Sequence, residues 1–341
     1  MCSMPVLQGI SIGIDLGTAN TLVCTKEKGI VIREPSVVAY DTRDDRIVAI
    51  GTEAKKMIGK TPRGITATRP LRDGVIADFS LTLAMMKTFI KKVMRSYIIA
   101  RPKVIVCIPY GINEIEKRAV ENAAVEAGAS GVALVEEPVA AAIGAGLPIK
   151  QSKGSMIVDI GGGTTEVAVF ASGGIAVSKS LRVAGDACDA AIAEYIRKKF
   201  NVAIGENTAE DIKKEIGSVH ESTNLGMLEV RGRNLATGLP SVFNIYSAEI
   251  NEAMSEPIGS ITDVIKSTLE ITPPELCADI YENGIMLAGG GSLLPGMAMM
   301  LQSKTGLTVN IAKHPLDCVA DGIMKIMSSN AYKSVLTEVK K

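Results

Sequence analysis

The stretch "VDIGGGTTEVAV", Val158–Val169, decides how the rest of the chain is read. An apolar run ends in an aspartate and three glycines follow; two threonines, a glutamate and a second apolar run come next. Both apolar runs have the composition of strands, and glycine inside a strand weakens it. Two readings account for the pattern. In one, it is an ordinary hairpin with a loose turn. In the other, the turn lets an anion approach the backbone. Residues without Cβ can aim several N–H groups at one point, threonine hydroxyls add donors, and the aspartate at the strand's end holds a cation. The second reading is phosphate with Mg²⁺, and it needs support from elsewhere in the chain.

That support comes from repetition. "SIGIDLGTANTLVCT" from Ser11 and "SMIVDIGGGTTEVAVF" from Ser155 both read apolar strand, Asp, apolar residue, Gly, Thr-containing turn, second strand. Asp15 and Asp159 hold matching positions. Two domains of one design, each offering an acid and a Gly/Thr turn, would grip a polyphosphate from both sides. A third Gly-rich turn, Gly289, Gly290, Gly291 and Ser292, ends the apolar run in "NGIMLAGGGSLLPGM"; it also reads as a tight strand–helix connection. Strand-like runs alternate with helix-like segments throughout, the pattern of an α/β protein.

Composition removes several function classes. With 341 residues the chain has material for about two domains. Lys+Arg 37 against Asp+Glu 37 leaves no net charge, so no global field favours nucleic acid. The six cysteines are scattered without a C-x-x-C pair, as expected for reduced, buried thiols in a cytosolic protein. "MCSMPVLQGISIG" lacks the regions of a signal peptide, and no apolar run reaches transmembrane length. Lys60 and Thr61 in "AKKMIGKT" stand one residue short of a P-loop, because Ala54 replaces its first glycine. His220 and His314 have no partners at metal or triad spacing.

Between and after the two hairpins the elements follow in order. Residues 79–96 have helical spacing of apolar residues; "KVIVCIPY" is a buried strand; "NEIEKRAVENAAVEAGA" is a helix. In "GVALVEEPVAAAIGAGL" a strand leads to Glu137 and then Pro138, placed to open a helix. Thr208 is the expected N-cap of the helix in "TAEDIKKEIG", on which Glu210 and Lys213 share a face. The apolar segment 316–330 is a helix expected to pack back onto the first domain.

Together these motifs resemble the actin/DnaK-chaperone/sugar-kinase ATPase superfamily, and within it the MreB family of bacterial actin homologues. "GIDLGTANTLV", "EPSVVA", "GKTP", "RPLRDGVIADF", "EEPVAAAIGAGLP", "DIGGGTTEVAV", "RVAGD", "KKEIG", "VRGRNLATGLP" and "TPPELCADI" carry the resemblance, which covers nearly the whole chain. It implies an α/β actin-like ATPase fold: two related domains, each a mixed β-sheet flanked by helices, with ATP and Mg²⁺ in the cleft between. Domain I would take residues 1–150 plus 316–341, with a smaller subdomain inserted at about 35–80. Domain II would take 151–315, with an insert at about 185–255.

Carried over by position, Gly17, Thr18, Ala19 and Asn20 form the first phosphate turn and Gly161, Gly162, Gly163 and Thr164 the second. Asp15 and Asp159 hold Mg²⁺ through its waters, as suits a cation that dehydrates reluctantly. Glu137 orients the attacking water, shared with Thr164 or its neighbour Thr165, and Asp159 completes the catalytic set. Glu210 and Lys213 meet the ribose and adenine, and Gly289 to Ser292 line the far side of the nucleoside. The resemblance also implies a filament, a homopolymer of paired antiparallel protofilaments, and partners among other members of the family. The setting it implies is the cytoplasm, at the inner face of the cell membrane, with a role in cell shape or motility. The helix from Asn113 reads either as a solvated surface or as the face between protofilaments.

Two rivals share the superfamily. A chaperone needs a substrate-binding domain, and only residues 331–341 follow the last apolar helix. A small-molecule kinase needs an acceptor pocket and a base, whereas Glu137 leads straight into an Ala-rich helix. Residues 1–10 are too short and too poor in basic residues for the N-terminal membrane helix that many members carry. Tyr97, Ile98 and Ile99 are instead a candidate anchor. Lys87, Lys91, Lys92, Arg95, Arg101 and Lys103 flank them without an acid, as for an anionic bilayer; packing under a neighbouring loop is the other reading.

Overall fold

The computed structural model describes residues 11–94, 101–220 and 222–338. It divides into two compact units: Met1–Pro148 with Asp317–Lys341, and Ile149–Leu316.

The first unit opens with β1 (Ser11–Leu16), β2 (Asn20–Thr25) and β3 (Gly29–Pro35), an antiparallel meander. A small sheet of β4 (Val38–Asp41), β5 (Arg46–Ile50) and β6 (Ile65–Thr68) follows, with α1 (Thr52–Met57) inside it and Ala54 buried beneath. Lys60 and Thr61 thus come after a helix rather than opening one. β7 (Leu71–Arg72) and β8 (Val75–Ile76) form a hairpin whose Asp73 and Gly74 both have positive φ, the mirror-image turn that Asp-Gly favours. Then come α2 (Phe79–Met94), β9 (Lys103–Ile108), α3 (Glu114–Glu126), β10 (Gly131–Glu136) and α4 (Glu137–Ala145).

β9 pairs parallel with β1, and β10 with β9. Strands of this kind are covered on both faces and so read as continuous apolar runs. α2 buries Met85, Met86, Phe89 and Ile90 in a core with Ile12, Ile14, Val104 and Val106. α3 starts at a capping box in which the Asn113 side chain accepts from the Ile115 and Glu116 N–H groups while Glu116 accepts from the Asn113 N–H.

In the second unit β11 (Ser155–Ile160), β12 (Thr165–Ala171) and β13 (Gly174–Leu181) repeat the meander. Both meanders carry a register shift in the middle strand, at Val23/Cys24 and at Val169/Phe170. α5 (Gly185–Phe200), β14 (Val202–Ala203), α6 (Glu206–Ile216), β15 (Met227–Asn234) and β16 (Pro240–Tyr246) follow, with the three strands in one small sheet. α7 (Ser247–Glu270), α8 (Pro274–Asn283), β17 (Ile285–Ala288), α9 (Met297–Thr305) and β18 (Val309–Ile311) complete the unit, β17 pairing parallel with β11 and β18 with β17. The repeated design, three antiparallel strands followed by parallel ones, is the one the paired motifs imply. One expectation is corrected: Thr208 lies inside α6, whose N-cap is Gly205. Glycine is itself tolerated there, and starting the helix at that point puts Glu206 in the first turn, where an acid suits the dipole.

The chain returns to the first unit with α10 (Cys318–Ser328) and β19 (Thr337–Glu338), which pairs with β10. α10 crosses α4 at glycines: a Cβ on Gly144 would overlap the Cys318 carbonyl, and one on Gly322 the Ala140 carbonyl. Lys325 Nζ donates to the Ile143 and Gly144 carbonyls at 2.9 Å, satisfying the end of α4. Among the described residues no helix is long and apolar enough to cross a membrane. Tyr97, Ile98 and Ile99 lie outside the described residues.

Candidate functional site

In the first unit Asp15 stands one residue before the end of β1, and Gly17, Thr18 and Ala19 make the turn into Asn20. Gly17 is required there, because a Cβ would lie 2.6 Å from the Asn20 carbonyl oxygen. The turn's own carbonyls are tied down by Ser36, a residue that is fully buried. Its hydroxyl donates to the Gly17 carbonyl at 2.6 Å and its N–H to the Ala19 carbonyl at 3.0 Å. The Thr21 hydroxyl, equally buried, lies 2.8 Å from that of Ser36. From the other side the Gly74 N–H donates to the Thr18 hydroxyl at 3.0 Å. A turn whose carbonyls are engaged within the protein keeps its amides for an incoming anion.

The second unit builds the same device with different parts. The Gly161 N–H closes the turn on the Thr164 carbonyl at 2.9 Å, so Gly162 and Gly163 carry its remaining glycine donors. The carbonyls of Gly161 and Gly162 accept from the N–H groups of Gly185 (3.2 Å) and Asp186 (2.8 Å), at the start of α5. The Thr165 hydroxyl donates to the Val183 carbonyl at 2.8 Å. Thr164, also buried, makes no such side-chain bond among the described residues, which favours Thr164 of the two threonines.

Asp159 is 4% exposed, and burial pushes its carboxyl up to about 7. Glu166, also buried, is its cross-strand partner in the β11–β12 register, so both acids stand on one face of the sheet. Ser180 donates to Glu166 Oε1 at 2.6 Å. Two buried carboxyl groups on one face of the sheet form a donor set that a cation would compensate, since burial alone disfavours their charged forms. The third turn walls this acid in. Gly289 has φ 76°, and a Cβ on it would run into the Asp159 carboxylate and the Ile160 carbonyl; one on Gly291 would meet Ile160. Ser292 donates from its hydroxyl to the Gly289 carbonyl at 2.7 Å.

Glu137 opens α4 directly after β10, with Pro138 next to it. Its neighbour Glu136 is held above the usual carboxylate range by burial. Lys214 bonds Glu210 at 2.6 Å, and Lys213 lies 2.8 Å from Asp189. Burial pushes the Asp189 carboxyl up to about 6, against the pull of that ammonium.

Sequence reasoning left Ser36, Gly74, Gly185, Asp189 and Glu166 without roles. Glu166 was within reach: counting outward from the tight turn pairs Ile160 with Thr165 and Asp159 with Glu166. The others act across loops or between elements and leave no local pattern.

With this geometry in view, comparison with known proteins is direct. The family model for "MreB/Mbl protein" matches residues 9–334. The cell shape-determining protein MreB of Escherichia coli K12 is 50% identical over 318 residues, 91% of each chain. Among solved structures, MreB5 of Spiroplasma citri bound to ADP is similar with a TM-score of 0.91 at 39% identity, covering 96% of this chain and 98% of that one. The same protein bound to AMPPNP gives 0.88 at 39% identity, covering 94% and 96%. These likenesses bear out the actin-like fold, and with the family model they establish that this chain belongs to the MreB/Mbl family.

Proposed function

We propose that this chain is a cytoskeletal ATPase that polymerises with ATP and Mg²⁺ into filaments at the inner face of the cell membrane and helps determine cell shape or motility. The observation that carries the reading is the pair of acid-ended strands followed by Gly/Thr turns whose carbonyls are tied down from within. The likeness to MreB5 bound to ADP and to AMPPNP supports a nucleotide as the ligand. The name of the Escherichia coli relative supports a role in cell shape. Family membership speaks against the small-molecule kinase.

Gly17, Thr18, Ala19 and Asn20 in one unit and Gly162, Gly163 and Thr164 in the other would bind phosphate oxygens. Gly161 would shape its turn. Asp15 and Asp159 would hold Mg²⁺ through its waters; when bound, the ion neutralises charge on the phosphates. Glu137 with Thr164 would orient the attacking water, the part of phosphoryl transfer that depends on position rather than covalent chemistry. Glu210 and the turn from Gly289 to Ser292 would line the nucleoside. For self-association, α3 offers an 80% exposed Ile115 in the first unit, the kind of apolar group a repeating contact covers. Tyr97, Ile98 and Ile99 are the proposed membrane contact.

Glu137→Ala tests the chemistry. Turnover of Mg²⁺–ATP should fall at least a hundredfold with nucleotide affinity within threefold of wild type, because the residue acts on water. Equal turnover would remove Glu137 from the mechanism. Light scattering and sedimentation should rise with ATP; a flat signal across salts and nucleotides would refute the filament.

A further inference from the structure

α6 reaches the second turn through one side chain. The Lys213 ammonium lies 2.8 Å from Asp189 Oδ1 and donates to the Gly185 carbonyl at 2.8 Å. The side chains of Lys213 and Asp189 are only 16% and 7% exposed. Gly185 opens α5, and Asp189 stands about one helical turn further on, so a single ammonium grips the start of α5 at two points. That same start of α5 donates its Gly185 and Asp186 N–H groups to the carbonyls of Gly161 and Gly162. A Cβ on Gly185 would stand 3.3 Å from both the Gly161 oxygen and Lys213 Nζ, which leaves no slack in this corner.

We propose that Lys213 is a positioning residue of the second phosphate turn. Through Gly185 and Asp189 it sets the first residues of α5, and through them the direction in which Gly162 and Gly163 present their amides to the terminal phosphate of a nucleoside triphosphate. This differs from the nucleoside contact that resemblance implies for Lys213. The ammonium donates to one group that shapes the turn and pairs in charge with another, and an ion pair this buried is held in place by the cost of leaving either charge uncompensated. Asp189 and Gly185 become part of the same device. The inference rests on the ATPase reading above and refines it.

The test uses the full chain with Asp189→Asn and Lys213→Met. The first keeps the shape of Asp189 and leaves the lysine in place. Affinities for ADP and AMPPNP are measured by competition, and turnover at saturating ATP. Both variants should lose at least tenfold in turnover and at least fivefold in AMPPNP affinity, with ADP affinity within twofold of wild type. The double variant should be no worse than the more severe single one, since both remove one clamp. If Lys213→Met weakens ADP and AMPPNP equally while Asp189→Asn changes neither, the lysine is a nucleoside ligand and the inference falls. If both variants lose both nucleotides equally, the pair holds the unit together rather than the turn, and the inference falls again. Hydrogen exchange on the nucleotide-free chain separates this from the ATPase reading. The Gly185 and Asp186 amides should exchange at least tenfold faster in Asp189→Asn, whatever the wild type binds; unchanged protection overturns the clamp.

Discussion

Ser36→Ala probes the first phosphate turn at its most buried point. The Ser36 hydroxyl donates to the Gly17 carbonyl and meets the Thr21 hydroxyl; Ser36 and Thr21 are fully buried and Gly17 partly so. Removing it leaves two polar groups without their partner, each at a cost of about 1–3 kcal/mol. The total, about 2–6 kcal/mol, is a large share of the stability of an ordinary domain. Part of that loss should fall on nucleotide binding, because the freed Gly17 carbonyl can turn toward the site where an anion is expected. About 1.4 kcal/mol there is tenfold in Kd for ATP. The double variant Ser36→Ala/Thr21→Val separates the two effects. Replacing both hydroxyls by apolar groups of like shape should recover about 1–3 kcal/mol in urea denaturation. ATP affinity should stay low, since Gly17 is still unbraced. If the double variant regains affinity along with stability, or if Ser36→Ala binds ATP within twofold of wild type, the brace does not govern the turn.

Three further outcomes are expected. Gly322→Ala, at the crossing of α10 and α4, should destabilise by about 1–3 kcal/mol or more, lowering Tm by about 2–4 °C for each kcal/mol. Gly259→Ala in α7, where a Cβ meets nothing within 4 Å, should instead be neutral or stabilising by up to about 1 kcal/mol; equal effects would refute the packing argument. For Asp189, burial raises the folded carboxyl from 3.8 to about 6, so the folded chain binds this proton more tightly than the unfolded one. Its contribution to stability therefore falls as pH rises from about 4 to 6, by up to about 3 kcal/mol. Urea denaturation of wild type minus Asp189→Asn between pH 4 and 7 should show that slope, and a flat difference would refute it. Finally, the triple change of Tyr97, Ile98 and Ile99 to Ser should abolish pelleting with anionic liposomes while sparing ATP turnover. Wild-type pelleting would send the search for an anchor elsewhere.

The meanders could be read from the sequence because their information is local. A buried strand, an acid, a Gly/Thr turn and a second buried strand occupy about a dozen residues, and the chain states the pattern twice. The third turn was equally visible at Gly289. What could not be read is what ties the turns down. Ser36 reaches Gly17 from 19 residues away and Lys325 reaches Gly144 across 181. Lys213 shows what position on one helix face leaves open. Spacing puts it on the face of Glu210, and its ammonium goes to Asp189 on another helix, a pairing that depends on how α5 and α6 pack. Thr208 failed for a related reason: cap preference barely separates threonine from a glycine three residues earlier, and the helix begins after the glycine.

α10 closes the first unit although most of that unit precedes the second in the chain. This has a bearing on the order of events as the protein is made. When residue 316 leaves the ribosome, the second unit has every one of its elements, in one unbroken segment. The first unit at that moment lacks α10 and β19, so the glycine face of α4, the outer edge of β10 and the side of β1 that receives Ile323 have nothing against them. Domains usually fold from the N-terminus as synthesis proceeds. Here the later unit can finish first, and the earlier one must keep its apolar surface from other nascent chains until α10 emerges.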